Sequence, residues 1–124
     1  MPKARIMIVE DDAIIAEDLK CCLEELGYEV TSIHSKGEEA VSKVNTENPD
    51  LLLMDIYLKG FFDGIETSTV IKKRFKNIPI IYISAFSDQK LLQRASKTEP
   101  IMYIVKPFEE IQLKKAIENA LKTK

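Results

Sequence analysis

The sequence predicts one α/β domain of five strand–helix units, a parallel sheet between two layers of helices. Three observations carry that prediction. Five short apolar runs are spread along the chain, and three of them are almost continuously apolar, as strands covered on both faces must be. Amphipathic stretches with helical spacing separate these runs. No repeat, low-complexity tract or linker breaks the alternation, so the 124 residues read as a single domain over 1–124.

The first run is ARIMIV, residues 4–9. Ile15, Leu19, Cys22, Leu23 and Leu26 then repeat at helical intervals, and Gly27 supplies a C-terminal stop. The second run, YEVTSI (28–33), is followed by Ala40, Val41 and Val44 on a helix that ends before Pro49. LLLMD (51–55) is the third run. Ile71 and Phe75 mark the end of the helix after it, more weakly than elsewhere. IPIIYIS (78–84) leads to Leu91, Leu92 and Ala95, and IMYIV (101–105) leads to Leu113, Ile117, Ala120 and Leu121. The alternation makes a doubly wound (βα)5 fold with helices on both faces.

Composition removes several classes of function. Hydrophobic residues at 45% and charged residues at 31% are the balance of a globular chain that needs no staples. A net charge of −2 gives no general pull toward nucleic acid or an anionic membrane. The one basic run, KKRF with Lys76 beyond it, reads as cations at a helix C-terminus, so no direct nucleic-acid partner is expected. Acidic residues come too early for a secretory signal, and no run nears the roughly 20 apolar residues of a membrane span. Cys21 and Cys22 are adjacent on a helix and form no disulfide framework; they read as packing residues. A cytoplasmic protein without membrane insertion is the expectation.

In an open parallel sheet, ligands bind beyond the carboxyl ends of the strands. Here the first strand ends in Glu10-Asp11-Asp12, the third in Asp55, the fourth in Ser84 and the fifth in Lys106-Pro107. Asp55 cannot stay ionised beside Glu10 and Asp11 without cations, and Lys106 offers only one charge. Oxygen-only ligands select a hard ion such as Mg²⁺. A metal, an ammonium and a hydroxyl converging on one carboxylate can hold a phosphoryl group, with the carboxylate as nucleophile. The residues therefore point to a Mg²⁺-dependent aspartyl-phosphate site. Asp12 falls past the pocket, where it would cap the first helix.

The segments IMIVEDD, LLLMDIYLKGFFDGIE, IPIIYISAF and MYIVKPFE together resemble the receiver domain of two-component response regulators, a flavodoxin-like fold, in order and over the whole length. The resemblance implies sheet order 2-1-3-4-5 and phosphorylation of Asp55 by a histidine kinase or phosphotransfer protein. It implies Mg²⁺ held by Asp11, by Glu10 mainly through water, by Asp55 and by the Tyr57 backbone carbonyl. Ser84 and Lys106 would each bond a phosphoryl oxygen, and the Lys106-Pro107 peptide would be cis. Ser84 and Tyr103 would form the switch, changing the face of helix 4, strand 5 and helix 5 that binds a downstream protein or a second copy. A receiver of this kind is a signalling switch and turns over no separate substrate.

The sequence departs from the family pattern after the acceptor. The usual proline is missing, and one extra residue precedes Asp63-Gly64, a length that Gly60 can absorb through a positive φ. Phe61 and Phe62 are expected to pack over the third helix, with a partner-contact patch as the alternative. Tyr57 and Phe86 occupy the two positions that govern water access to the phosphorus, and two aromatics there favour a slowly hydrolysed acyl phosphate. His34 reads as a strand-end residue. Three rivals stand beside the switch: an aspartyl-phosphate phosphatase, for which no cap or second-step acid is evident; a receiver-like interaction module never phosphorylated; and a nucleotide binder, for which no Gly-rich loop is present. The chain closes at Lys124 just after the fifth helix, compatible with a stand-alone receiver or with a piece of a longer regulator or hybrid kinase.

Overall fold

The structure, a computed structural model, describes residues 3–75, 77–85 and 87–123. The elements alternate as expected: β1 (Arg5–Val9), α1 (Ala13–Glu25), β2 (Glu29–His34), α2 (Gly37–Glu47), β3 (Leu51–Met54), α3 (Gly64–Arg74), β4 (Ile80–Ser84), α4 (Gln89–Ser96), β5 (Met102–Val105) and α5 (Glu110–Thr123). All strand pairs are parallel, in the order β2-β1-β3-β4-β5.

The two-residue period of a strand sorts the apolar runs into two cores. Ile6, Ile8, Leu51, Leu53, Ile81, Ile83 and Ile104 face α1 and α5, where Leu19, Leu23, Leu113 and Ile117 cover them. Met7, Val9, Leu52, Met54, Ile80 and Tyr82 face the other way, against Ala40 and Val44 of α2, Ile65 and Ile71 of α3, and Leu91 and Ala95 of α4. β1, β3 and β4 are thus buried on both sides, which is why their sequences read as unbroken apolar runs.

Local chemistry fixes the helix starts at the sheet's upper edge. Asp12 caps α1, its carboxylate accepting from the Ile14 and Ile15 N–H groups at 2.9 and 3.2 Å. Asp63 opens α3 with a reciprocal capping box to Glu66. Asp88 caps α4 through the Leu91 N–H. α2 lacks a side-chain cap, and Glu38 and Glu39 in its first turn compensate its positive end.

Three details differ from the sequence reading. Leu92 is largely turned to solvent, because α4 spans only eight residues and Leu92 lies a hundred degrees round from the buried Leu91. β3 stops at Met54, so Asp55 begins the following loop. Phe61, expected over the third helix, is 90% exposed, and Phe62 alone is tucked in. His34 ends β2 as expected, half-buried, with Ser32 Oγ 2.8 Å from its Nε2. Cys22 packs beside the α1/α5 core while Cys21 is exposed.

Gly64 sets the spacing between sheet and α3. Its N–H donates to the Ile56 carbonyl at 2.6 Å. A Cβ there would collide with the Asp55 carbonyl oxygen and lie 2.7 Å from Ile56 Cα. Gly64→Ala is therefore expected to lower stability by about 1–3 kcal/mol in urea unfolding, the usual cost of overpacking. An unchanged unfolding midpoint would mean that α3 can retreat freely from Asp55.

Candidate phosphoryl-acceptor and metal site

The upper edge of the sheet gathers residues far apart in sequence. β1 delivers Glu10 and Asp11, β3 delivers Asp55, β4 ends in Ser84 and β5 delivers Lys106. Hydrogen bonds fix the strand ends beneath them: Asp55 N–H donates to the Val9 carbonyl at 2.8 Å, and Lys106 N–H to the Ser84 carbonyl at 2.8 Å. The Lys106–Pro107 peptide is cis.

Glu10, Asp11 and Asp55 each offer a carboxylate oxygen, and these oxygens lie within 4.8 Å of one another. Glu10 and Asp55 are buried, and Asp11 is half-buried. Lys106 Nζ donates to Glu10 Oε1 at 2.7 Å and stands 3.9 Å from Asp55 Oδ1. The other Glu10 oxygen accepts from the Asp12 N–H at 3.2 Å, and Asp55 Oδ1 accepts from the Ile56 N–H at 2.9 Å. Lysine and backbone thus hold Glu10 and Asp55 in fixed directions, yet one ammonium cannot neutralise three carboxylates.

The shortage of positive charge appears in the acidities. Burial, then the neighbouring Glu10, pushes the Asp55 carboxyl from 3.8 up to about 7, against the opposing pull of Lys106. Asp11 is raised for the same two reasons, and Lys59 draws it back. Oxygen ligands so close together, none of them His or Cys, fit a small hard cation. Lys59 was not among the candidate residues; its tie to the site depends on the path of a loop, which spacing alone does not reveal.

Ser84 is fully buried at the end of β4. Burial pushes the Tyr103 phenol pKa up and a hydrogen bond with Ser84 pulls it down, so the two residues named as the switch interact. Beneath them, the Tyr103 ring lies 6.0 Å from that of Tyr82, whose hydroxyl is 2.6 Å from Thr98 Oγ1. Tyr57 is half exposed at the rim, and Phe86 lies outside the described residues. Leu92, Met102, Val105 and Ile111 leave apolar surface on α4, β5 and α5. No helix among the described residues is long and apolar enough to cross a membrane.

The family model "Response regulator receiver domain" matches residues 6–118. The chain is 38% identical over 117 residues to the transcriptional regulatory protein PdtaR of Mycobacterium tuberculosis, covering 94% of this chain and 56% of that protein. It is 34% identical over 118 residues to the chemotaxis protein CheY of Thermotoga maritima, covering 95% of this chain and 98% of CheY. The signal receiver domain of a modulated diguanylate cyclase from Desulfovibrio desulfuricans superposes with a TM-score of 0.92 at 37% identity, covering 98% of this chain and 96% of that one. The chain spans about half the length of several curated relatives it matches.

The Asp55 shift carries a linkage. Its folded value lies above the unfolded 3.8, so the stability it contributes is full below pH 3.8 and is lost as pH rises through about 7. In metal-free buffer, Asp55→Asn should match the wild type near pH 4 and be more stable at pH 8, by about 1–4 kcal/mol at 1.36 kcal/mol per unit. A stability difference independent of pH, measured by urea titration, would contradict this electrostatic account.

Proposed function

The chain belongs to the response regulator receiver domain family, a signalling switch and not a turnover enzyme, and we propose that Asp55 is its phospho-acceptor in a His–Asp relay. The carrying observation is the cluster of Glu10, Asp11 and Asp55 oxygens beside Lys106. In this reading an Asp55 oxygen attacks the phosphorus of a phosphohistidine on a histidine kinase or phosphotransfer protein. The P–N bond breaks, and an acyl phosphate forms on Asp55.

Asp11, Asp55 and the Tyr57 carbonyl would hold Mg²⁺ directly, and Glu10 mainly through water. The ion supplies the positive charge that lets a phosphoryl group enter an acidic pocket. Lys106, now on Glu10, would turn to a phosphoryl oxygen, and Ser84 would bond another. Engaging Ser84 removes it from Tyr103, which is then free to repack and to reshape the α4–β5–α5 surface. That surface already carries exposed apolar side chains, which supports its use by a downstream protein or a second copy.

The first test is incubation with Mg²⁺ and acetyl phosphate, scoring a single base-labile phosphoryl addition by intact-protein mass. Labelling should vanish in Asp55→Asn; labelling that survives would refute the assignment. Among the acids, Asp11→Ala should cost the most Mg²⁺ affinity, Glu10→Ala less, and Asp12→Ala should cost only its cap, about 1 kcal/mol. A dominant Asp12 effect would shift the register of the site by one residue. Tyr57→Asn combined with Phe86→Glu should speed hydrolysis of the phosphorylated form, and an unchanged decay rate would dismiss aromatic shielding.

A further inference from the structure

The loop between β3 and α3 runs from Asp55 to Asp63, and a contact from outside the loop defines its path. α2 does so. The Glu38 carboxylate, in the first turn of α2, lies flat against Gly60: a Cβ there would sit 2.8 Å from Oε2 and 3.0 Å from Oε1. The next N–H, of Phe61, points at Glu38 Oε2 from 3.5 Å. Gly60 takes φ +99°, a turn that side chains resist and glycine permits. One residue earlier, Lys59 forms a parallel β-bridge with Lys36, just before α2. At the far end of the loop, Gly37 lies so close to Thr67 and Phe62 that a Cβ would collide with the Thr67 hydroxyl.

Glu38 Oε1 is buried without a hydrogen-bond partner among the described residues. A carboxylate oxygen left in that state needs a physical reason. The positive end of α2, which has no side-chain cap, tolerates the charge there. Held so, the carboxylate leaves the Gly60–Phe61 turn little freedom to lift from α2. The segment it pins begins at Tyr57 and includes Lys59, whose charge is felt by Asp11.

We propose that Glu38 is a positioning residue for the phosphoryl-acceptor site: from α2 it clamps the Gly60–Phe61 turn and so fixes the Tyr57–Lys59 segment beside the acid cluster. It touches neither metal nor phosphoryl group and acts through the loop. The inference rests on the reading of Glu10, Asp11 and Asp55 as a Mg²⁺ site, and it adds a residue far from that site in sequence.

The test is a Mg²⁺ titration followed by amide NMR shifts, alongside acetyl phosphate labelling and thermal melts. Glu38→Ala should raise the Mg²⁺ midpoint about tenfold, the low end for losing an outer support of a metal site, and slow labelling at low Mg²⁺ but not at saturation. Glu38→Gln, which keeps an oxygen for the Phe61 N–H, should recover most of the loss. If the Ala variant does not fold, Glu38→Asp withdraws the carboxylate from Gly60 and should shift the midpoint in the same direction. An unmoved Mg²⁺ midpoint overturns the proposal, even with a lowered melting temperature, since a purely structural role would give that pattern. Wild-type protein that binds Mg²⁺ with the Glu38 dependence but takes no phosphoryl group would instead overturn the acceptor reading and leave the clamp standing.

Discussion

Three carboxylates share one ammonium at the upper edge of the sheet, and much of the architecture serves to keep them there. Left to relax, like charges this close would move apart or take up protons. They are held because each is attached to a strand end buried on both faces, and because Lys106 and two backbone N–H groups occupy specific oxygens. The acids therefore keep an unmet demand for positive charge. Such a pocket favours whatever brings cations to it, because the fold already holds the like charges together.

Around this pocket the helices are joined to one another by groups with more than one task. The Asp63 carboxylate caps α3 with one oxygen and takes Arg94 of α4 with the other, at 2.9 Å. The adjacent Gly64 presses α3 onto the carbonyl of Asp55. A change at Asp55 therefore meets α3 through backbone contact and α4 through an ion pair anchored at the same junction. On the neighbouring side, Tyr82 links the Tyr103 ring to Thr98 just beyond α4. Two separate contacts thus bind the C-terminal end of α4 to the centre of the molecule.

The fold was legible because its signals are local and repeated: five apolar runs, helical spacing between them, and polar residues closing the runs. The separation of Asp12 from Glu10 and Asp11 was legible for the same reason, since capping depends on position within a few residues. Leu92 misled because an eight-residue helix buries only a narrow stripe, and periodicity does not say how wide the stripe is. Phe61 misled because burial of a loop aromatic depends on where the loop runs. Glu38 could not be found at all. Its contact with Gly60 crosses two loops and an entire strand, and an acid in the first turn of a helix already has a sufficient local explanation in the dipole.

The tilted contact between the Tyr82 and Tyr103 rings has a practical side. The chain contains four tyrosines and no tryptophan, so its near-ultraviolet emission belongs to Tyr28, Tyr57, Tyr82 and Tyr103 alone. Two of these, Tyr82 and Tyr103, are ring neighbours, and Tyr57 is half exposed. The molecule therefore carries a built-in optical gauge: any rotation of Tyr103 away from Tyr82 alters the coupling between two chromophores without a label being added. Rearrangement at the pocket can be watched in real time on the unmodified chain.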